Sequence, residues 1–593
     1  MLDRLSGGAW DEWMEEAGYC FELEGKAKFQ TYPLVNDERN LDCQSFSWEA
    51  LDCREEQFEV CFNTTERHWY GAAQVYEQLW PIEQWARPSQ PFINGVSDSE
   101  DEYGGVMHRY FLSSDGKAII VEWDVPLWVA FNETGDSRLC LKGRYKDSPY
   151  DNYNNNPLYF NYTQCNGRDI KHVHEFITRN YLGKPSGIPD KQLFRHPIWT
   201  TWLHSGQKLN QSHVVDYAQN IVAHNLTASQ LVISDQWERE YGRLEFDPFR
   251  FPKPDSMVQT IAELGMRTNL WVHPFIELTS DVLLDSAMQL NLVRDPGGIL
   301  PGLVRWWNGV GAILDFTNNR SISRFVGKLR QLKDDYNISS FRFDAGETSY
   351  LPAAYKLKTP TGNPSRFTNR YATAAYVLNK RLRSPDVRVG AHTQELPVFV
   401  RMLNKKSRWS HKMGLKSIIP TALTFSILGY PYVLPDVVGG HDPGPSDAPE
   451  RELYIRWLQA ITLMPAMHFL VPPWHYDDEV VMITQRMLTL HEHYSDVIIE
   501  LAREASCTGA PIIRPLWWVA VQDEDALRAD SEFLLGDDIL VAPVLELGAR
   551  ARDIYLPSGT WNDTLRGGQV EGKKWLTNYT VELHELAYFT RVT

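Results

Sequence analysis

The stretch FRFDAGE, Phe341 to Glu347, puts Asp344 and Glu347 three residues apart at the end of an alternating apolar run. In an extended chain Phe341 and Phe343 face one way and Arg342 and Asp344 the other, so Ala345-Gly346 ends a buried strand with a carboxylate at its tip. Such a carboxylate can attack an electrophilic carbon or move a proton; the alternative is that Asp344 only caps the following helix. Other apolar runs end in polar or aromatic groups too: Asp235 and Trp237, Trp271 and His273, Asp315, and Asp436. His273 and His441 lie near such ends and His468 lies in LMPAMHF; each histidine is as readily structural as ligand-contacting. No H-E-x-x-H and no Walker motif is present, so neither a metal nor an organic cofactor is expected.

These groups share one mouth only if their strands run parallel. Over residues 191–504 short apolar runs alternate with amphipathic ones. Strands are expected at 229–235, 267–274, 311–316, 339–347, 388–393 and 430–440, with helical stretches between them such as SISRFVGKLRQLKDDY, Ser321 to Tyr336. Repeated βα units over about 300 residues imply a (β/α)8 TIM barrel, whose catalytic groups gather where the strands end. A doubly wound sheet is the alternative, but no Gly-rich phosphate turn follows any strand. Residues 1–190 carry short alternating runs, such as AIIVEWDVPLWVAF, between turn-rich clusters and predict an N-terminal β-sandwich. Strand-like runs return over 505–593, predicting a smaller C-terminal β domain.

The 593 residues exceed one core, and 12% aromatic content fits a globular chain whose clefts suit flat, polar ligands such as sugars. A net charge of −17 with no basic stripe argues against nucleic acid or an anionic membrane as partner. Cys20, Cys43, Cys53, Cys61, Cys140 and Cys165 lie in the first third without zinc-site spacing, so disulfides are expected, in any of 15 pairings; Cys507 stands apart as a buried thiol. Nine N-x-S/T sequons, at Asn63, Asn132, Asn161, Asn210, Asn225, Asn319, Asn337, Asn562 and Asn578, point with the cysteines to the secretory-pathway lumen or the cell exterior. The start MLDRLSGGAW has no apolar core and no window reaches a membrane span, so the chain is expected to be a luminal portion without its signal or anchor. A homodimer is compatible with all of this.

From about residue 190 to 560 the chain resembles glycoside hydrolase family 31, retaining α-glycosidases with a barrel flanked by β domains. The matching stretches are ISDQWEREYGRLEFDPFRFPKP, GMRTNLWVHPF, RWWNGVGAILDFTNN, FRFDAGE, ILGYPYVLPDVVGG and PIIRPLWW with FLLGDDILVAPVLELGARARDIYLPSGTW. FDAGE, VFVRML with its later S-x-W, and LPDVVGG are most similar to the myogenesis-regulating glycosidase branch, which acts on α-galactosides. The resemblance implies Asp344 as nucleophile, Glu347 as the acidic residue that orients its neighbours, and Asp235, Trp237, Trp271, Trp307, Arg401 and Asp436 as lining or supporting a sugar subsite. Barrel-core packing is the bland alternative for the tryptophans, and a structural ion pair for Arg401.

A retaining glycosidase needs a second carboxylate, about 5–5.5 Å from the first, to protonate the leaving oxygen and then activate water. The branch carries Asp five residues before the Trp of VRMLNKKSRW. Here that position is Asn404, and the interval from Leu396 to Pro435 contains neither Asp nor Glu. Glu395 is the nearest carboxylate. Three accounts are consistent with the amide: an engineered substitution that holds substrate, a natural loss giving a sugar-binding pseudoenzyme, or replacement by a carboxylate from a distant loop.

Overall fold

Eight short parallel strands form the central barrel: β1 (Ile198–Thr200), β2 (Gln230–Ile233), β3 (Arg267–Val272), β4 (Ser340–Phe343), β5 (Asp386–Val387), β6 (Phe399–Arg401), β7 (Val433–Leu434) and β8 (His468–Phe469). Their hydrogen-bonded order is β7-β6-β5-β4-β3-β2-β1-β8, and the Val438 N–H donates to the His468 carbonyl at 2.9 Å across the remaining seam. This computed structural model describes residues 10–15, 18–23, 25–35, 38–51, 57–96, 102–152, 155–201, 208–380, 384–441 and 448–592.

The expected barrel is present, with three corrections to its strands. The run 311–316 is not a barrel strand. Gly309–Ile313 pairs antiparallel with Leu303–Trp306 and Phe275–Glu277 in a separate three-stranded sheet inserted between β3 and β4. Apolar content alone does not distinguish a parallel from an antiparallel partner. The run 388–393 is mostly loop, because the backbone of Gly390 exchanges hydrogen bonds with Gly105 and Met107 of the N-terminal region, leaving β5 only two residues. Strands β1, β6 and β8 carry two or three residues each, too few for periodicity to register.

Helices pack round the strands. Asn319–Tyr336 begins where the Asn318 side chain accepts from the Arg320 N–H and ends at Asn337 in the left-handed region. The helix Asp478–Thr508 is capped by Asp477 and stopped by Gly509, whose φ is +86°.

The N-terminal region is a sandwich of an eight-stranded and a four-stranded sheet with antiparallel pairing. Disulfides Cys43–Cys165 and Cys61–Cys140 join directly opposed residues of neighbouring strands, with Cα atoms 4.0 Å apart. They are bonds of an oxidising environment. Cys53 lies outside the described residues, and Cys507 is exposed, not buried: it lies in the last turn of the long helix, where no element covers it. The C-terminal domain holds a six-stranded antiparallel sheet and a two-stranded ribbon. Among the described residues no helix is long and apolar enough to cross a membrane.

Candidate active site

Alternation along β4 buries Phe341 and Phe343 outward, against the helices, and turns Arg342 inward, where it donates to Asp386 at the start of β5 (3.0 Å) and reaches Thr200 and His468. Asp344 follows at the strand exit. Its N–H donates to the Val272 carbonyl, still in register with β3, and its carbonyl accepts from the Tyr371 hydroxyl at 2.6 Å. The chain then turns sharply, with φ of +58° at Ala345 and +97° at Gly346. A Cβ on Gly346 would lie 2.4 Å from the Tyr371 ring, so glycine is required by both backbone and space.

The Asp344 carboxylate is held on three sides. Oδ1 accepts from Arg388 Nη1 at 3.0 Å and from Arg401 Nη2 at 2.8 Å, while Oδ2 accepts from the Trp271 indole at 2.8 Å. Burial alone would raise this carboxyl, but the two guanidiniums and the indole N–H outweigh it and hold it well below the usual carboxylate range. The side chain remains 14% exposed, so the anion faces the cleft.

Glu347, folded back by the turn, is fully buried and accepts from Arg388 Nε at 2.7 Å; burial pushes its carboxyl up against that pull. Arg388 therefore bridges the two acids of FRFDAGE. Arg401 extends the network through Nε to Asp386 at 3.4 Å and through Nη1 to Asn404 Oδ1 at 3.3 Å.

Asn404 is exposed in the loop after β6. The next residue anchors that loop: the Lys405 N–H donates to Asp436 Oδ2, its carbonyl accepts from the His441 N–H at 2.8 Å, and its buried Nζ reaches Ser417 at 2.9 Å and Thr421 at 3.0 Å. Burial pulls the Lys405 amine down to about 7, against the Asp436 charge. Asp436, itself pushed up by burial, thus holds the Asn404 loop from below.

On the other side, Trp271 and Trp307 have ring centroids 5.5 Å apart. Trp307, in the tight turn between Leu303–Trp306 and Gly309–Ile313, is 44% exposed. Trp237 is fully buried and donates to the Trp271 carbonyl at 2.7 Å, so it supports Trp271 from within the core. Asp235 accepts from the Tyr241 hydroxyl, and burial raises its carboxyl. His273 is buried, accepting from the Phe275 N–H, with Nε2 3.5 Å from Glu238.

The structure thus brings Asp344, Glu347, Trp271, Arg401, Asn404 and Asp436 into one connected network and sets Trp307 against Trp271. Sequence reasoning missed Arg388, Asp386 and Lys405. Arg388 and Asp386 flank Val387 in the short β5, and that alternation of charge around an apolar residue was the available signal. Glu395 is removed as a candidate acid. It precedes β6 and its carbonyl accepts from the Ser186 N–H in the segment entering the barrel, which places it at the strand-entry end, opposite Asp344.

A model of the glycosyl hydrolases family 31 TIM-barrel domain matches residues 194–499, and one of the family's C-terminal domain matches 509–592. The chain belongs to glycosyl hydrolase family 31. Among family 31 relatives, the myogenesis-regulating glycosidase of Mus musculus is 41% identical over 571 residues, covering 94% of this chain and 79% of that protein. The SITS-binding protein of Tetronarce californica is 29% identical across 98% of this chain and 82% of its own length. A family 31 sulfoquinovosidase from E. rectale, solved with an aza-sugar inhibitor, superposes with a TM-score of 0.82 at 18% identity, covering 98% of this chain and 88% of that one, a likeness of fold.

Proposed function

We propose that this chain is a retaining, exo-acting α-glycosidase scaffold for a terminal α-linked hexose, galactose by its similarity to the myogenesis-regulating glycosidase, working in the secretory-pathway lumen or outside the cell. The observation that carries the reading is the Asp344 carboxylate, kept ionised by Arg388 and Arg401 at the β4 exit while still open to the cleft. Oδ1 takes both guanidiniums, so Oδ2, with the single Trp271 N–H, is the oxygen that attacks the anomeric carbon. The carbon–Oδ2 bond forms as the glycosidic bond breaks, and the electron pair leaves with the aglycone oxygen. Asp235 and Trp307 then line the sugar's other faces, and Glu347 acts through Arg388.

The leaving oxygen needs a proton. Asn404 stands in that slot, and its amide can donate a hydrogen bond but cannot surrender a proton at neutral pH, so turnover of ordinary glycosides is slow by about 10²–10⁴. The same amide favours a second reading, a glycan-binding pseudoenzyme that holds sugar without turnover. Family 31 glucosides and xylosides are the alternative substrates. The direct test is labelling with an activated fluoro-sugar, whose good leaving group needs little acid help. The adduct is expected on the FRFDAGE peptide; label elsewhere, persisting in Asp344→Ala, would refute the assignment.

A further inference from the structure

A second pocket, of about 610 Å³, opens beside the strand-exit face where the sandwich meets the barrel. Trp123, Asp124 and Tyr145 line it from the sandwich; Thr361 and Arg366 from the segment after β4; His392 from the loop after β5. None of the groups bonded to Asp344 lines it. Its size falls within the range of about 300–1,000 Å³ usual for small-molecule sites.

The walls are pinned from behind. Asn363 donates to the Trp123 carbonyl at 2.7 Å, Asn369 to the His392 carbonyl at 2.7 Å, and the Asp151 N–H to the Gly362 carbonyl at 3.1 Å. These bonds fix the backbone and leave lining side chains available. The Trp123 ring meets His392 edge to face at 3.9 Å, making a rigid aromatic corner. Thr361 Oγ1 and His392 Nε2 are buried atoms without a hydrogen-bond partner among the described residues. Buried polar atoms left unpaired are costly, so a ligand that supplies hydroxyls gains by satisfying them.

Charge narrows the ligand class. The lining holds two arginines and two carboxylates, Arg366 and Arg370 with Asp124 and Asp151, and Arg366 is paired with Asp124 at 2.6 Å, so the pocket offers no net positive charge to a phosphate or sulfate. An aromatic corner with two unpaired polar atoms beside it suits a neutral polyhydroxylated ring. We propose that this pocket is a second, non-catalytic saccharide-binding site that takes a neutral sugar unit. It stands apart from the catalytic reading, since no residue assigned to the reaction contributes to it. Thr361, Arg366 and His392 lie in the segments that follow β4 and β5, the strands that lead to Asp344 and Arg388.

The test is photo-crosslinking of the full chain with diazirine-tagged melibiose, followed by peptide mapping with and without excess untagged melibiose. Competed crosslinks are expected in the peptides containing Trp123 and Thr361. They should fall roughly tenfold, the equivalent of about 1.4 kcal/mol, in both Trp123→Ala and Thr361→Val. Thr361→Val keeps the shape and removes only the hydroxyl, so it serves if Trp123→Ala misfolds. Crosslinks confined to the Asp344 cleft, crosslinks that excess melibiose does not compete, unchanged labelling in Thr361→Val, or stronger competition by a sulfated disaccharide than by melibiose would each overturn the proposal.

Discussion

Asp344 and Asn404 share one guanidinium: Arg401 donates through Nη2 to Asp344 Oδ1 at 2.8 Å and through Nη1 to Asn404 Oδ1 at 3.3 Å. The proposed nucleophile and the residue in the acid/base slot are therefore positioned by the same side chain, itself fixed by Asp386. A carboxylate at position 404 would meet the same cation. Restoring the acid consequently requires no rebuilding of the loop.

Asn404→Asp should raise turnover of an aryl α-galactoside at least about 10²-fold, the lower end of what acid-base catalysis contributes. The restored enzyme should show a bell-shaped pH profile, because Asp344 must be ionised while the new carboxyl starts protonated. The acidic limb should lie low, since Asp344 is held below the usual range. In the unaltered chain, azide should partly replace the missing base and give a glycosyl azide of retained configuration. A folded, sugar-binding Asn404→Asp protein that stays inactive on α-galactosides, α-glucosides and α-xylosides decides for the pseudoenzyme.

Arg401→Met should raise the Asp344 carboxyl toward its ordinary value, since one of its two opposing cations is lost. Fluoro-sugar labelling followed against pH should then lose rate on acidification at a higher pH than in the unaltered chain. Removing one partner from this buried network should also destabilise the fold by about 3 kcal/mol, read by urea denaturation. An unshifted acid limb would mean that Arg388 alone keeps Asp344 ionised.

Lys405→Met tests the loop anchor. The Lys405 amine is lowered to about 7 in the folded chain, so between that pH and its unfolded value the unfolded state binds more protons, and stability rises with pH across that window. At and below neutrality the folded protein carries a buried charge that methionine does not. The melting temperature of Lys405→Met should therefore exceed that of the unaltered chain most clearly below pH 7, with the gap closing toward pH 10. A gap independent of pH would show that the Lys405 amine titrates alike in the folded and unfolded chain.

Trp307→Ala should weaken binding of a terminal α-galactoside by about tenfold, the loss of one aromatic face, with a smaller cost in melting temperature than a core tryptophan would show because the ring is 44% exposed. Calorimetric titration checks it. Unchanged affinity would place the sugar away from this turn.

Non-reducing peptide mapping should find Cys43 joined to Cys165 and Cys61 to Cys140, while Cys507 alkylates in the native protein because it is exposed. Protection of Cys507 without reduction would contradict its placement.

Period-two alternation with turn residues predicted the sandwich and β4 with Asp344 at its tip, and short apolar runs alternating with stretches of helical spacing predicted the barrel class, because these depend on which residues can be buried along one chain direction. The absence of a carboxylate from 396 to 435 was likewise a property of the sequence alone. Tertiary structure decided the rest. GAILDF became an inserted antiparallel strand because its partners at 275–277 and 303–306 fold back on it, and Gly390 left the sheet because Gly105 and Met107 of the sandwich offered its backbone hydrogen bonds. Arg388, Asp386 and Lys405 lie among ordinary charged residues in the sequence. Their roles arise from burial at neighbouring strand ends, where a charge without a nearby opposite is too costly to keep and each one must find its partner across the barrel.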